Sequence, residues 1–194
     1  MTLDKILEIA GFLTGLLYLY WEYHANPRMW IAGLVMPFIS MWVYFTKGLY
    51  ADFAMNIYYL LMAVYGYVAW TFNFSRKQKE SLPIRHINLR TLAGTAVAFC
   101  AVYTALAAWL ILGTDSTVPY YDAFTTALSI VATWMLARKY IEQWIAWILV
   151  DSVCVWLYIY KGIYFYAALY LVYTVIAFFG YFKWKKLMIA GKKI

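Results

Sequence analysis

Ile141-Glu-Gln-Trp144-Ile-Ala-Trp147-Ile-Leu-Val-Asp151-Ser-Val-Cys-Val-Trp-Leu-Tyr-Ile-Tyr160 is an apolar run long enough to cross a bilayer as a single helix. On such a helix Trp144, Trp147 and Asp151 follow i, i+3, i+7 spacing, so two indoles and a carboxylate share one face. Asp151 falls near the middle of the run. A carboxylate at mid-bilayer costs ~2.5–3.5 kcal/mol on insertion scales, so it is expected to face a partner or a cavity rather than lipid.

The whole chain shares this character. Of its 194 residues 66% are hydrophobic and 13% charged, with a mean hydropathy of +0.67. No soluble domain has enough interior to hide that fraction, so the chain reads as an all-α integral membrane protein. The net charge of +7 is read as membrane orientation, and no nucleic-acid-binding module is present. Cys100 and Cys154 both lie in apolar runs without a CxxC, which supports neither a disulfide framework nor a zinc site. The N-terminus lacks a basic n-region and a small-residue cleavage site, and is read as a retained first helix.

Apolar segments fall at about 3–23, 29–46, 49–73, 91–112, 122–137, 141–160 and 163–182, which predicts seven transmembrane helices. With seven spans, thirteen of the 16 lysines and arginines fall on one side and three on the other. The positive-inside rule then places the N-terminus outside and the C-terminus in the cytoplasm.

A shift of 114 residues lays the sequence on itself. Trp30-Ile-Ala meets Trp144-Ile-Ala, Trp42-Val-Tyr44 meets Trp156-Leu-Tyr158, and Lys47-Gly48 meets Lys161-Gly162. Tyr59 meets Tyr173, Gly66-Tyr67 meets Gly180-Tyr181, and Trp70 meets Trp184. Each repeat is three helices. The one helix between them gives both repeats the same orientation, a 3+1+3 transporter architecture with its substrate site near mid-bilayer. The expected divisions are a first triple-helix bundle at 1–74, a basic cytoplasmic linker at 75–90 and a connector helix at 91–113. A second bundle at 122–184 and a basic cytoplasmic tail at 185–194 complete the chain. The repeat also exposes differences, because Gly33 stands opposite Trp147 and Pro37 opposite Asp151.

Candidate residues are weighed against plain structural roles. Asp151 serves as a counter-charge for a cationic substrate or as an interhelical hydrogen-bonding group. Trp144 lies where interfacial tryptophans form a belt, and Trp147 lies one turn deeper. Asn56 is a substrate contact or a buried structural amide, and Glu8 is read as structural. Asp52, Asp122 and Glu142 are read as solvated charges at helix ends. Pro37 removes a backbone bond inside the second span and is a candidate hinge, together with the two Lys-Gly turns. His24 and His86 sit in loops, so no intramembrane haem or metal site is expected, and neither is any cofactor. No HExxH, GxSxG or GxxxxGK[ST] motif occurs, so no catalytic residue is assigned and the chain is not read as an enzyme. No Arg or Lys lies deep in a span, which argues for a neutral or cationic permeant.

Particular runs carry a family resemblance over about residues 3–186. They are Leu7-Glu8-Ile-Ala-Gly11, Gly48-Leu-Tyr50-Ala51, Tyr65-Gly66-Tyr67-Val-Ala-Trp70, Tyr121-Asp122-Ala-Phe, and above all Leu128-Ser129 through Arg138-Lys139-Tyr140-Ile-Glu142-Gln-Trp144-Ile-Ala-Trp147. The chain resembles the Pnu-type vitamin transporters, which move nicotinamide riboside, thiamine or riboflavin and share the SWEET-like 3+1+3 fold. Nicotinamide riboside carriers of that family show WxxWxxxN, a glutamine on the third helix and an asparagine before the Tyr-Gly. Those positions here hold Asp151, Asn56 and Ala63. A carboxylate in place of an amide favours a fixed cation, so the resemblance implies a thiamine permease, with nicotinamide riboside as the alternative. A non-transporting scaffold is a more distant one. Asp151, Trp144, Trp147, Asn56, Tyr59 and Tyr173 are the expected substrate contacts. With no ATP-binding motif, and a single central carboxylate that the substrate itself can discharge, facilitated diffusion is expected, with residence in the inner membrane; the resemblance further implies a homotrimer.

Overall fold

The structure is a computed structural model and describes residues 3–46, 50–72 and 82–191. Seven helices follow one another: α1 (Leu3–Tyr23), α2 (Arg28–Thr46), α3 (Tyr50–Thr71), α4 (Leu89–Gly113), α5 (Pro119–Ala137), α6 (Gln143–Tyr160) and α7 (Tyr164–Gly191). Among the described residues, α4, α6 and α7 are long and apolar enough to cross a membrane. The other four have 19 to 22 residues, about 30 Å at the helical rise.

The expected boundaries hold closely except at two ends. Helix α5 opens at Pro119 rather than at 122, because proline's fixed φ suits the first helical position. Helix α7 runs to Gly191, well past the expected 182, so most of the expected tail is helical. The reason lies in its packing face, which continues through Trp184 and Met188, both buried. The first Lys-Gly turn, Lys47-Gly48, lies outside the described residues. The second turns at Gly162 with φ +73°, a left-handed conformation that glycine adopts freely. Pro37 is buried within α2, which stays helical through it.

The chain forms two compact units, Met1–Leu82 and Pro83–Ile194. In the first, α2 packs against both α1 and α3. In the second, α6 packs against both α5 and α7, and α4 lies along α5. Held between α4 and α6, α5 buries mostly small residues: Ala123, Thr125, Ala127, Ser129, Ala132, Thr133 and Ala137. Small side chains let helix backbones approach where lipid supplies no hydrophobic drive for association. The Thr133 hydroxyl donates to the Ser129 carbonyl at 2.7 Å, so its polar group is satisfied within its own helix.

One packing module occurs in both units. In the first, the Trp30 indole fills the space over Gly66, where a Cβ would collide with the ring. Trp30 meets Trp70 edge to face, centroids 5.7 Å apart at 90°. In the second, a Cβ on Gly180 would come within 2.7 Å of Trp144, and Trp144 meets Trp184 at 5.7 Å and 88°. The three positions are offset by 114 residues in each case. The sequence correspondence is therefore also a correspondence of contacts.

The α5–α6 turn is clasped by the chain leading into α4. Arg85 N–H donates to the Lys139 carbonyl and Ile141 N–H to the Arg85 carbonyl, both at 3.1 Å. Glu142 accepts from the Ile87 N–H at 3.0 Å and pairs with His86 Nδ1 at 2.7 Å. Arg85 lies over the Tyr140 ring. Glu142, expected to be a solvated end charge, is instead the anchor of this strap. Beside it Lys139 takes φ 52° and is only 4% exposed. Burial lowers its ammonium from the usual 10.5 to about 8.

Two outcomes follow for stability. Gly180→Ala should destabilise the protein by about 1–3 kcal/mol through overpacking against Trp144, with partial rescue by Trp144→Phe, read as thermal unfolding in detergent. Because the Lys139 pKa is lowered on folding, the unfolded chain binds more protons between pH 8 and 10.5, and stability rises with pH across that window. Lys139→Met should therefore remove this rise, so that its stability relative to wild type falls between pH 8 and 10.5. A constant difference across that range would contradict the buried ammonium.

Candidate functional site

The facing surfaces of α6 and α7 form one seam. Trp144, Trp147, Asp151, Cys154 and Tyr158 recur along α6 at helical spacing, and Tyr166, Tyr170, Tyr173, Ala177, Gly180 and Trp184 do so along α7. The helices follow one another through a short turn and run antiparallel, so Trp144 meets Gly180 at one end and Tyr158 meets Tyr166 at the other. Asp151 lies seven residues, about 10 Å, from each of Trp144 and Tyr158.

Asp151 is 6% exposed. It lies near Cys154 on its own helix and near Tyr170 and Tyr173 across the seam. Among the described residues, no hydrogen bond or ion pair engages its carboxylate. One turn earlier, the Trp147 indole N–H is buried without a partner among the described residues. Unpaired polar groups at this depth are costly unless a ligand meets them. A buried anion, an indole donor and tyrosine rings together suit a small, flat, positively charged molecule.

The expected site residues fall into two groups. Asp151, Trp147 and Tyr173 lie together on the seam of the second unit. Trp144 lies on the same face but is only 1% exposed, held by Gly180 and Trp184. It occupies neither a lipid interface nor an open wall. Asn56 and Tyr59 lie on α3 of the first unit, both partly buried, with Tyr59 beside Tyr58 and Tyr18. The side chain of Glu8 lies outside the described residues.

Other residues were not singled out by the sequence reading. Glu22 closes α1 with its side chain 3% exposed and lies near Tyr18. Gln143 is fully buried, and among the described residues neither amide atom has a hydrogen-bond partner. Tyr158, Tyr166 and Tyr170 stack on one another at the far end of the seam. Their signal was the spacing 166, 170, 173 on α7, one face of a helix. Among the described residues, no group of three His, Cys, Asp or Glu side chains could hold a metal ion.

Seven helices, three of them among the described residues apolar enough to span by themselves, are the architecture of a multi-pass membrane protein. Residues 5–186 match the family described as nicotinamide mononucleotide transporter, and the chain belongs to that family. It is 25% identical over 202 residues to the nicotinamide riboside transporter PnuC of Escherichia coli (strain K12), covering 92% of this chain and 84% of that protein. It is 26% identical over 185 residues to the riboflavin/roseoflavin transporter RibM of Streptomyces davaonensis, covering 93% and 83%. The crystal structure of the vitamin B3 transporter PnuC shares its fold, with a TM-score of 0.68 at 22% identity over 93% of this chain and 80% of that one.

Proposed function

We propose that this protein is a vitamin permease, moving an unphosphorylated, positively charged vitamin across the cytoplasmic membrane by facilitated diffusion, and that the vitamin is nicotinamide riboside. The observation that carries the reading is Asp151, a buried anion without a protein counter-charge among the described residues, on a seam of aromatic rings. The pyridinium ring of nicotinamide riboside supplies the missing positive charge and a flat face for stacking. In a low-dielectric site that pairing is far stronger than in water. Similarity to a protein named a nicotinamide riboside transporter supports the same choice over the expected thiamine.

Trp147 would stack on the ring or donate its indole N–H, and Tyr173 would lie against the cation. Trp144 is proposed as the wedge that holds α6 in place for these contacts. Asn56 and Tyr59, which the repeat sets at the positions of Tyr170 and Tyr173, are proposed as further substrate contacts. Pro37 is proposed as a hinge. The basic residues favour an outside N-terminus and a cytoplasmic C-terminus, and a homotrimer is proposed on the family resemblance alone.

Thiamine is the second reading, and one observation favours it. The carboxylate of Asp151 stands where the resemblance implies an asparagine in nicotinamide riboside carriers, and thiamine carries a fixed thiazolium charge. Riboflavin is neutral and gains nothing from Asp151, despite the similarity to a riboflavin transporter.

Calorimetric binding of nicotinamide riboside, thiamine and riboflavin to wild type and Asp151→Asn separates these readings. Nicotinamide riboside should bind wild type and weaken by about tenfold or more in Asp151→Asn, a loss of ~1.4 kcal/mol or more. Binding of thiamine alone, with the same loss, would move the assignment to the second reading. Riboflavin binding that survives Asp151→Asn unchanged would sink the counter-charge mechanism.

A further inference from the structure

Between Asp151 and the α6–α7 turn lies an aromatic series that the binding of a substrate at Asp151 does not account for. Tyr166 and Tyr158 have ring centroids 5.4 Å apart and 26° from parallel. Tyr158 and Tyr170 follow at 5.2 Å and 25°. Tyr170 then meets Tyr173 at 5.7 Å and 69°, and both Tyr170 and Tyr173 lie within electrostatic range of Asp151. The rings thus run from Tyr166 on α7 to Tyr158 on α6 and back to Tyr170 and Tyr173 on α7, toward the carboxylate. The outermost, Tyr166, is 49% exposed. Near that end, Asp122 pairs with Lys161 at 3.7 Å and accepts from the Ser116 hydroxyl at 2.8 Å.

Packing alone does not require this series. The two units share the Trp-Gly-Trp module at the other end of their seams, so the repeat itself is held there. At the positions of Tyr158, Tyr166, Tyr170 and Tyr173 the first repeat has Tyr44, Asp52, Asn56 and Tyr59. At these four positions the sequence therefore places a ring every time only in the half that carries the carboxylate. Tyrosine faces are electron-rich, so a flat cation stacks on them weakly and in any in-plane orientation. Several weak sites in succession, each easily left, are what conduction needs.

We propose that Tyr166, Tyr158, Tyr170 and Tyr173 form a stacking relay that passes a flat cationic heteroaromatic ring between the Asp122–Lys161 end of the second unit and Asp151. The proposal rests on the transport reading above and adds an approach path to it. The ring leaves water against Tyr166, exchanges one tyrosine face for the next, and stops where the carboxylate holds its charge. Asp122, already partly neutralised by Lys161, attracts the cation without trapping it. Tyr166, Tyr158 and Tyr170 accordingly govern the rate of transport, while Asp151 and the Tyr173 beside it govern affinity.

The test compares Tyr158→Leu and Tyr166→Leu with Tyr158→Phe and Tyr166→Phe in the full-length protein. Binding of nicotinamide riboside, and of thiamine in parallel, is measured by calorimetry, and initial uptake of each is measured in proteoliposomes. The leucine variants should bind within about twofold of wild type while uptake slows by about tenfold, the effect expected from losing one cation–π contact. The phenylalanine variants, which keep the ring face, should transport within about twofold of wild type. Tyr166 is half exposed, so its leucine variant should fold even where Tyr158→Leu does not. Wild-type uptake by Tyr166→Leu would overturn the relay. So would a loss of binding in parallel with uptake, or phenylalanine variants as slow as leucine ones. A wild-type protein that binds neither vitamin would instead bring down the transport reading, and the relay with it.

Discussion

A tryptophan seated in a glycine notch holds each unit together. In water, apolar surface drives helices into contact; in lipid that drive is absent, and shape complementarity must supply the association. Trp144 over Gly180 and Trp30 over Gly66 provide it, because only a residue without a Cβ admits the indole at that distance. The second tryptophan of each module, Trp184 or Trp70, meets the first edge to face, the arrangement favoured by aromatic quadrupoles. With one end of the seam closed so tightly, the axial register of α6 against α7 is set, and Asp151 is brought level with Tyr173.

The same module makes the differences between the units interpretable. A Cβ on Gly33 would lie 3.2 Å from the Tyr18 ring, so in the first unit a large residue on α1 covers a small one on α2. In the second unit the corresponding positions are Ala132 on α5 and Trp147 on α6. Bulk has moved from one helix to the other, with volume roughly conserved, as close packing demands. The exchange places an indole on α6 one turn before the carboxylate. The second unit thus carries an aromatic and a charged group on its seam, where the first carries a glycine and a proline.

Much of this was legible in the residues themselves. Long apolar runs leave few alternatives to helices, and their boundaries came out within a few residues wherever a polar turn or proline marked them. The end of α7 was misjudged because Lys183, Lys185 and Lys186 resemble a tail, although Trp184 and Met188 continue the packing face between them. The 114-residue repeat was readable, but its meaning at Trp144 was not. A tryptophan near two basic residues looks interfacial until Gly180, thirty-six residues away, is seen beneath it. Glu142 failed in the same way, since its partners His86 and Ile87 lie more than fifty residues earlier. Long-range pairing is what a single sequence hides, and the tyrosine series across two helices was hidden for that reason.

If transport is facilitated diffusion as proposed, the position of Asp151 along the seam also bears on how a buried charge can serve it without an energy source. A facilitator must return empty as readily as it crosses loaded. Moving an unpaired carboxylate through hydrocarbon on every return would add a barrier of several kcal/mol. A carboxylate fixed at the middle of a rigid seam avoids this, because access to the charge changes while the charge stays in place. The glycine-notched tryptophan keeps that seam rigid. On the proposed reading, tight packing at the Trp144 end and ring-lined packing at the Tyr158 end are then complementary, one holding the carboxyl group in place and the other giving a cation rings along which to reach it.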